Sequence, residues 1–210
     1  MVGYEALARF AHPAVTGGPD AWFAAATDRG LAPELDAVAL RSALARRADL
    51  PSNCFLTINV EPSSLASDAV GAVLFAPADL GGVIVELTEH QAWNPLILGP
   101  ALDKLRGAGA RIAVDDAGAG YAGLQAILEL RPSLLKLDRA LVEGVDHDEA
   151  KAALIEMVGV FANRVDAWVL AEGSETAAEA RRVVDLGIPL AQGYYFGRPP
   201  AGVRSSRTPP

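Results

Sequence analysis

Along this chain, short apolar runs alternate with longer segments whose apolar positions recur every three to four residues. The short runs are Val2–Ala8, Cys54–Val60, Gly82–Leu87, Arg111–Asp115, Ser133–Leu137, Ala167–Ala171 and Pro189–Ala191. Their length and β-branched content predict strands. Helical periodicity falls in Pro19–Thr27, Pro33–Arg47, Pro95–Gly107, Gly123–Leu130, Glu149–Arg164 and Thr176–Leu186. Strands that are apolar nearly throughout, each followed by a helix, predict an α/β fold with a parallel sheet covered by helices. Thr176 and Glu179 have the spacing of a capping box, which gives Glu179 a structural role. Gly107, Gly109 and Gly187 are stop signals after helices. His12 to Gly18 reads as a loop. One domain is expected over residues 1–199, with no internal repeat or dividing linker, and the Pro-, Ser- and Arg-rich residues 200–210 are expected to form a disordered tail.

The polar positions on these strands share a place. Glu5 lies in the first strand, Asn59 ends the second and Glu86 the third. Asp115 and Asp116 end the fourth, Lys136 comes near the end of the fifth, Glu172 closes the sixth and Gln192 the seventh. The carboxyl ends of the strands converge on one face in a (β/α) barrel, and such enzymes carry their active sites there. A single acidic residue after a strand is commonly just the cap of the next helix. Capping does not account for Lys136, set among Leu134, Leu135 and Leu137, because a buried ammonium is costly unless carboxylates pair with it. Asp138, with the same strand parity, is a local candidate for that partner.

Composition narrows the chemistry. Of the 210 residues, 51% are apolar and 21% charged, enough for one buried core and unlike a disordered chain. A formal charge of −8 argues against DNA or RNA as partners. An acidic protein can still take a phosphodiester if its carboxylates first gather divalent cations. Glu5, Glu86, Asp115, Asp116 and Glu172, with the amide of Asn59, form an oxygen-rich donor set that favours Mg²⁺ or Mn²⁺ over zinc. The adjacent Asp115–Asp116 pair suits two ions held close together, and two ions suit phosphodiester hydrolysis. His12, His90 and His147 show no ligand spacing and are assigned no catalytic role. Cys54 is alone and reads as a small buried hydrophobe. No apolar stretch is long enough for membrane insertion and no signal peptide is seen, so a cytoplasmic location is expected.

The residues also resemble a known family. Tyr4-Glu5-Ala6-Leu7-Ala8-Arg9 is similar to the signature of the EAL domain, a cyclic di-GMP phosphodiesterase. Six further blocks follow in the family's order: Ile58-Asn59-Val60, Glu86-Leu87-Thr88-Glu89, Asp115-Asp116-Ala117-Gly118-Ala119-Gly120-Tyr121, Leu135-Lys136-Leu137-Asp138, Ala171-Glu172-Gly173-Ser174-Glu175-Thr176 and Ala191-Gln192-Gly193-Tyr194. The resemblance implies a TIM-like (β/α) barrel of the EAL type. It implies that Glu5, Asn59, Glu86 and Asp115 hold a first metal ion, and that Asp115, Asp116 and Glu172 hold a second. Lys136 would orient the attacking water, with Glu172 and Glu5 as its catalytic companions. Arg9, Gln192 and Asp138 would contact the substrate. Glu89 and Glu175 would support the loop after the Asp pair and the second metal site. The implied reaction is metal-dependent hydrolysis of cyclic di-GMP to linear pGpG in bacterial second-messenger signalling, with two Mg²⁺ or Mn²⁺ ions per site.

Two departures from the family pattern shape the expectations. Ala117 and Ala119 stand where many members have Phe and Thr, in a loop linked to metal positioning and dimer contacts. The chain also begins just past the family's usual first strand, so a barrel of seven strands with an open seam is expected. The alternative to an active enzyme is a catalytically impaired EAL domain that acts as a cyclic di-GMP receptor or protein-interaction module. A homodimer or a partner signalling domain is the expected assembly.

Overall fold

The computed structural model describes residues 2–10, 17–77, 79–88, 95–117 and 127–199, and at 88, 95, 116 and 117 the backbone alone. Seven strands form one sheet in the order β1 to β7: Gly3–Ala6 (β1), Phe55–Asn59 (β2), Val83–Thr88 (β3), Arg111–Ala117 (β4), Leu134–Leu137 (β5), Trp168–Ala171 (β6) and Leu190–Ala191 (β7). Every neighbouring pair is parallel. Each predicted strand is present, and most are trimmed by a residue or two at their ends.

The helices follow their caps. Pro19–Thr27 (α1), Pro95–Gly107 (α5) and Glu149–Arg164 (α8) begin and end where the sequence predicts. Asp148 caps α8 by accepting from the backbone N–H groups of Ala150 and Lys151. Ala32–Ala45 (α2) stops two residues before the predicted Arg47, which opens a 3₁₀ turn, Arg47–Asp49. Ala177–Asp185 (α9) starts on the predicted capping box. Thr176 Oγ1 accepts from Glu179 N at 3.1 Å, and Glu179 Oε2 accepts from Thr176 N at 3.0 Å. Glu179 Oε1 also accepts from Gly144 N, which ties α9 to the turn before α8. Residues 127–130 (α6) are helical; the rest of predicted helix Gly123–Leu130 lies outside the described residues, as do His12, His90 and the tail 200–210. Three short helices were not predicted: Pro62–Leu65 (α3), Asp68–Leu74 (α4) and Arg139–Val142 (α7).

Strand parity sorts the core into two layers, because alternate side chains point to opposite faces of a sheet. Leu56, Ile58, Val85, Leu87, Ile112, Val114, Leu135, Leu137 and Val169 face outward, against Leu40, Leu74, Leu102, Leu105, Ile155 and Val183 of the helices. The opposite parity gives a smaller cluster of Ile84, Ala113, Leu134, Leu170 and Leu190, with Phe55 packed against it. That second cluster is the barrel interior. Gly3 has the same parity, and a Cβ at Gly3 would lie 2.2 Å from the Phe55 ring. The absent side chain is what lets Phe55 turn inward beside the first strand.

Among the described residues β1 pairs only with β2 and β7 only with β6, so the sheet has an open seam. It is nonetheless curled. The side chain of Gln192, just past β7, reaches Glu5 in β1 across that seam. Cys54 is half-buried rather than fully buried.

Candidate active site

Continuing each inward-facing row by two residues toward the strand's carboxyl end replaces the apolar layer with a polar one. Gly3 leads to Glu5, Ile84 to Glu86, Ala113 to Asp115, Leu134 to Lys136, Leu170 to Glu172 and Leu190 to Gln192. On β2, Phe55 leads through Thr57 to Asn59. The site residues therefore share a parity as well as a strand end. Register aligns them laterally, with Asn59 opposite Glu86.

Between β4 and β5 the register shifts, so that Val114 pairs with Leu135 but Ala117 with Leu137. Two residues, Asp115 and Asp116, thus stand opposite Lys136 alone. An extra residue of this kind is a β-bulge, a device common beside active sites. It also explains why β4 runs to Ala117, past the predicted end at Asp115.

Lys136 lies at the centre and is 1% exposed. Its Nζ is 2.8 Å from Glu86 Oε2, 2.9 Å from Glu172 Oε1, 3.1 Å from Asp115 Oδ1 and 3.8 Å from Glu5 Oε1. Burial alone would lower its pKa, but Glu86, Glu172, Asp115 and Glu5 outweigh that and hold it above the ordinary lysine value. The side chain stays an ammonium. Glu86, equally buried, has its pKa raised by desolvation, which Lys136 opposes and Glu5 and Asp115 reinforce. Glu172 is pushed up to about 7, first by burial and then by Asp115 and Glu5, against the pull of Lys136.

Glu5 is held from β2 and from the residue just past β7. Asn59 Nδ2 donates to Oε1 at 3.4 Å, and Gln192 Nε2 donates to Oε2 at 2.5 Å. Thr57 Oγ1, beneath Asn59 on the same face, is buried without a hydrogen-bond partner among the described residues.

The donor set suits a hard divalent cation. It comprises carboxylate oxygens and one amide, and Glu86 Oε1 is buried with no hydrogen-bond partner among the described residues while Oε2 is taken by Lys136. An unsatisfied buried carboxylate oxygen is costly, and a cation would satisfy it. Among the described residues no three His, Cys, Asp or Glu side chains converge on one another as they stand. The carboxylates converge on the lysine instead.

The other predicted site residues fall elsewhere. Asp138 is not the partner of Lys136. Its Oδ1 accepts from Ala140 N at 2.6 Å and caps α7. Arg9 is exposed, and its Nη1 donates to the neighbouring carbonyl of Ala8. Glu175 pairs with Arg139 Nη1 at 3.1 Å, in the loop after β6. Glu89 lies outside the described residues, and of Asp116 only the backbone is described. Sequence reasoning missed the inward role of Phe55 and Thr57, although both share the parity of Asn59.

A curled seven-stranded parallel sheet, open at one seam, with a lysine-centred carboxylate cluster at its carboxyl face defines a class of α/β enzyme-like domains. The EAL domain family matches residues 1–199, and the chain belongs to that family. It is 33% identical over 213 residues to the cyclic di-GMP phosphodiesterase RocR of Pseudomonas aeruginosa, covering 95% of this chain and 53% of RocR. It is 28% identical to PdeB of Escherichia coli, named a probable cyclic di-GMP phosphodiesterase, covering 94% of this chain and 39% of PdeB. The chain thus spans about half, or less, of the length of these curated relatives. Among solved structures, it resembles the PaMucR phosphodiesterase in complex with c-di-GMP, with TM-score 0.80, 28% identity, and coverage of 96% of this chain and 86% of that one. The manganese/cy-diGMP complex of BlrP1 from Klebsiella pneumoniae gives TM-score 0.78 and 33% identity, covering 94% of this chain and 51% of that one.

Proposed function

We propose that this chain is a cyclic di-GMP phosphodiesterase that opens one phosphodiester of its substrate to give linear pGpG. The observation that carries the reading is the buried ammonium of Lys136 within 3.1 Å of three carboxylates, beside a buried Glu86 oxygen that lacks a donor among the described residues. Such an array is stable as a hub for cations and has little purpose as a structural core. The family relatives support the substrate, and the manganese complex of BlrP1 supports divalent ions.

Glu5, Asn59, Glu86 and Asp115 would hold one ion, and Asp115, Asp116 and Glu172 the other. Two bound Mg²⁺ or Mn²⁺ ions would supply an activated water and stabilise charge on the departing oxygen. Lys136 is a permanent donor here, so its task is to orient that water and not to deprotonate it. Leu134, Ile84 and Leu170 beneath it keep the floor of the site dry, which strengthens every charge interaction above. Arg9 and Asp138 remain candidates for substrate contact, and Glu89 and Glu175 for loop support. No helix among the described residues is long and apolar enough to cross a membrane. We place the activity in the cytoplasm, alongside a homodimer mate or a partner signalling domain.

The open seam between β1 and β7 favours one second reading, a receptor that binds cyclic di-GMP without cleaving it. Chromatography of cyclic di-GMP incubated with the protein separates the two. Conversion to pGpG with Mg²⁺ or Mn²⁺, abolished by EDTA, supports the enzyme. Calorimetric binding with no product under either metal supports the receptor.

A further inference from the structure

The four carboxylates around Lys136 are not held alike. Glu86, Glu172 and Asp115 lean on the ammonium at 2.8 to 3.1 Å, while Glu5 stands off at 3.8 Å. Glu5 instead receives the amide of Gln192 at 2.5 Å. That bond ties β1 to the residue just past β7, across edges that share no backbone pairing among the described residues.

Gln192 is well fixed for such a task. Its backbone N–H donates to Ala171 O at 2.8 Å, and its carbonyl accepts from Ser174 N at 3.1 Å. The next residue, Gly193, lies so close to the 174 backbone that a Cβ there would be 2.2 Å from Ser174 O. Gln192 therefore moves with the loop that carries Glu172. A neutral amide also directs a carboxylate without cancelling its charge. A second lysine at that place would compete with a bound cation for the same oxygen.

We propose that Gln192 is a positioning residue for metal binding: it spans the open seam to aim the Glu5 carboxylate into the site, and is not primarily a substrate contact. The inference rests on reading Glu5 as a metal ligand. Residues that orient ligands in this way typically govern metal affinity by about ten- to a hundredfold.

The test is calorimetry with Mn²⁺ alone, without nucleotide, on the wild-type protein, Gln192→Ala, Glu5→Gln and the double variant. Gln192→Ala should weaken Mn²⁺ binding about ten- to a hundredfold, and should add no further loss in the Glu5→Gln background. At saturating Mn²⁺ the KM for cyclic di-GMP should match the wild type. Unchanged Mn²⁺ affinity with a raised KM would overturn the proposal and make Gln192 a substrate contact. Wild-type protein that binds no Mn²⁺ would remove the metal reading itself, and the proposal with it. Should Gln192→Ala fail to fold, NMR of the wild-type side-chain amide decides. It should shift on addition of Mg²⁺ alone, and a response only to the dinucleotide contradicts the proposal.

Discussion

Lys136 Nζ and Glu86 Oε2 stand 2.8 Å apart with both residues 1% exposed, a bond between strands β5 and β3 that are not neighbours in the sheet. It crosses the barrel interior. Two charges so placed are stable only together, because removing either leaves the other desolvated and unpaired. Lys136→Met should therefore destabilise the metal-free protein by about 3 to 5 kcal/mol in urea unfolding. Added Mn²⁺ should recover part of that loss, since a cation can replace the missing ammonium. Equal loss with and without Mn²⁺ would mean that no cation enters there.

Asp36 offers a pH signature outside the site. It is 3% exposed on α2, and burial raises its pKa from 3.8 to about 6, with Glu61 adding to the shift. A carboxyl whose folded pKa is raised binds its proton more tightly when folded, so its ionisation costs stability. Its contribution is best below pH 3.8, is lost as pH climbs from there to about 6, and stays lost above. Asp36→Asn keeps the shape and removes the charge. It should stabilise the protein at pH 7.5 by up to about 3 kcal/mol, with no gain at pH 3.5. Urea midpoints at the two pH values check this.

Much of the fold was legible in local signals. Pro19, Asp148 and the Thr176–Glu179 box act within one turn of their own helices, so their boundaries read directly from sequence. The strands read as unbroken apolar runs because a parallel sheet is covered on both faces. Helices α3, α4 and α7 were invisible because they are too short to show a period. They are started by local devices, Pro62 at the first turn of α3, Ser67 accepting from Val70 N, and Asp138 accepting from Ala140 N.

The site was legible in its members and not in its pairings. Placing Glu5, Glu86, Asp115, Lys136 and Glu172 together needed only their common position at strand ends. Asp138 looked like the lysine's partner because it is close in sequence, yet the partners come from other strands and depend on register. The bulge at Asp115–Asp116 and the reach of Gln192 to Glu5 are equally non-local. No pattern within one segment announces them.

The inward turn of Phe55 predicts a tight steric limit. With a Cβ at residue 3 only 2.2 Å from its ring, Gly3→Ala must displace either the ring or β1. The expected cost is about 1 to 3 kcal/mol, with weaker Mn²⁺ binding because Glu5 shares that strand. Gly3→Ala combined with Phe55→Leu should regain most of the stability. No recovery in thermal melts of the double variant would show that the contact is not the limiting one.

Gly193 leaves even less freedom. Its φ of +156° and the 2.2 Å approach to Ser174 O involve backbone on both sides, where no side chain can yield. Gly193→Ala should cost more stability than Gly3→Ala and should lower metal binding through Gln192. Comparing the two variants by urea unfolding tests the order.

Turnover of cyclic di-GMP by the wild-type chain and by Asp115→Asn, both with saturating Mn²⁺, decides whether these carboxylates form a metal-dependent active site. Asp115 touches the lysine and is assigned to both metal ions, so its loss strikes the whole arrangement. The wild type should produce pGpG, and the folded variant should be about a hundred- to a thousandfold slower, as for loss of one key electrostatic group. A wild type that binds cyclic di-GMP but makes no pGpG, or a variant as fast as the wild type, would contradict a metal-dependent phosphodiesterase built on these carboxylates.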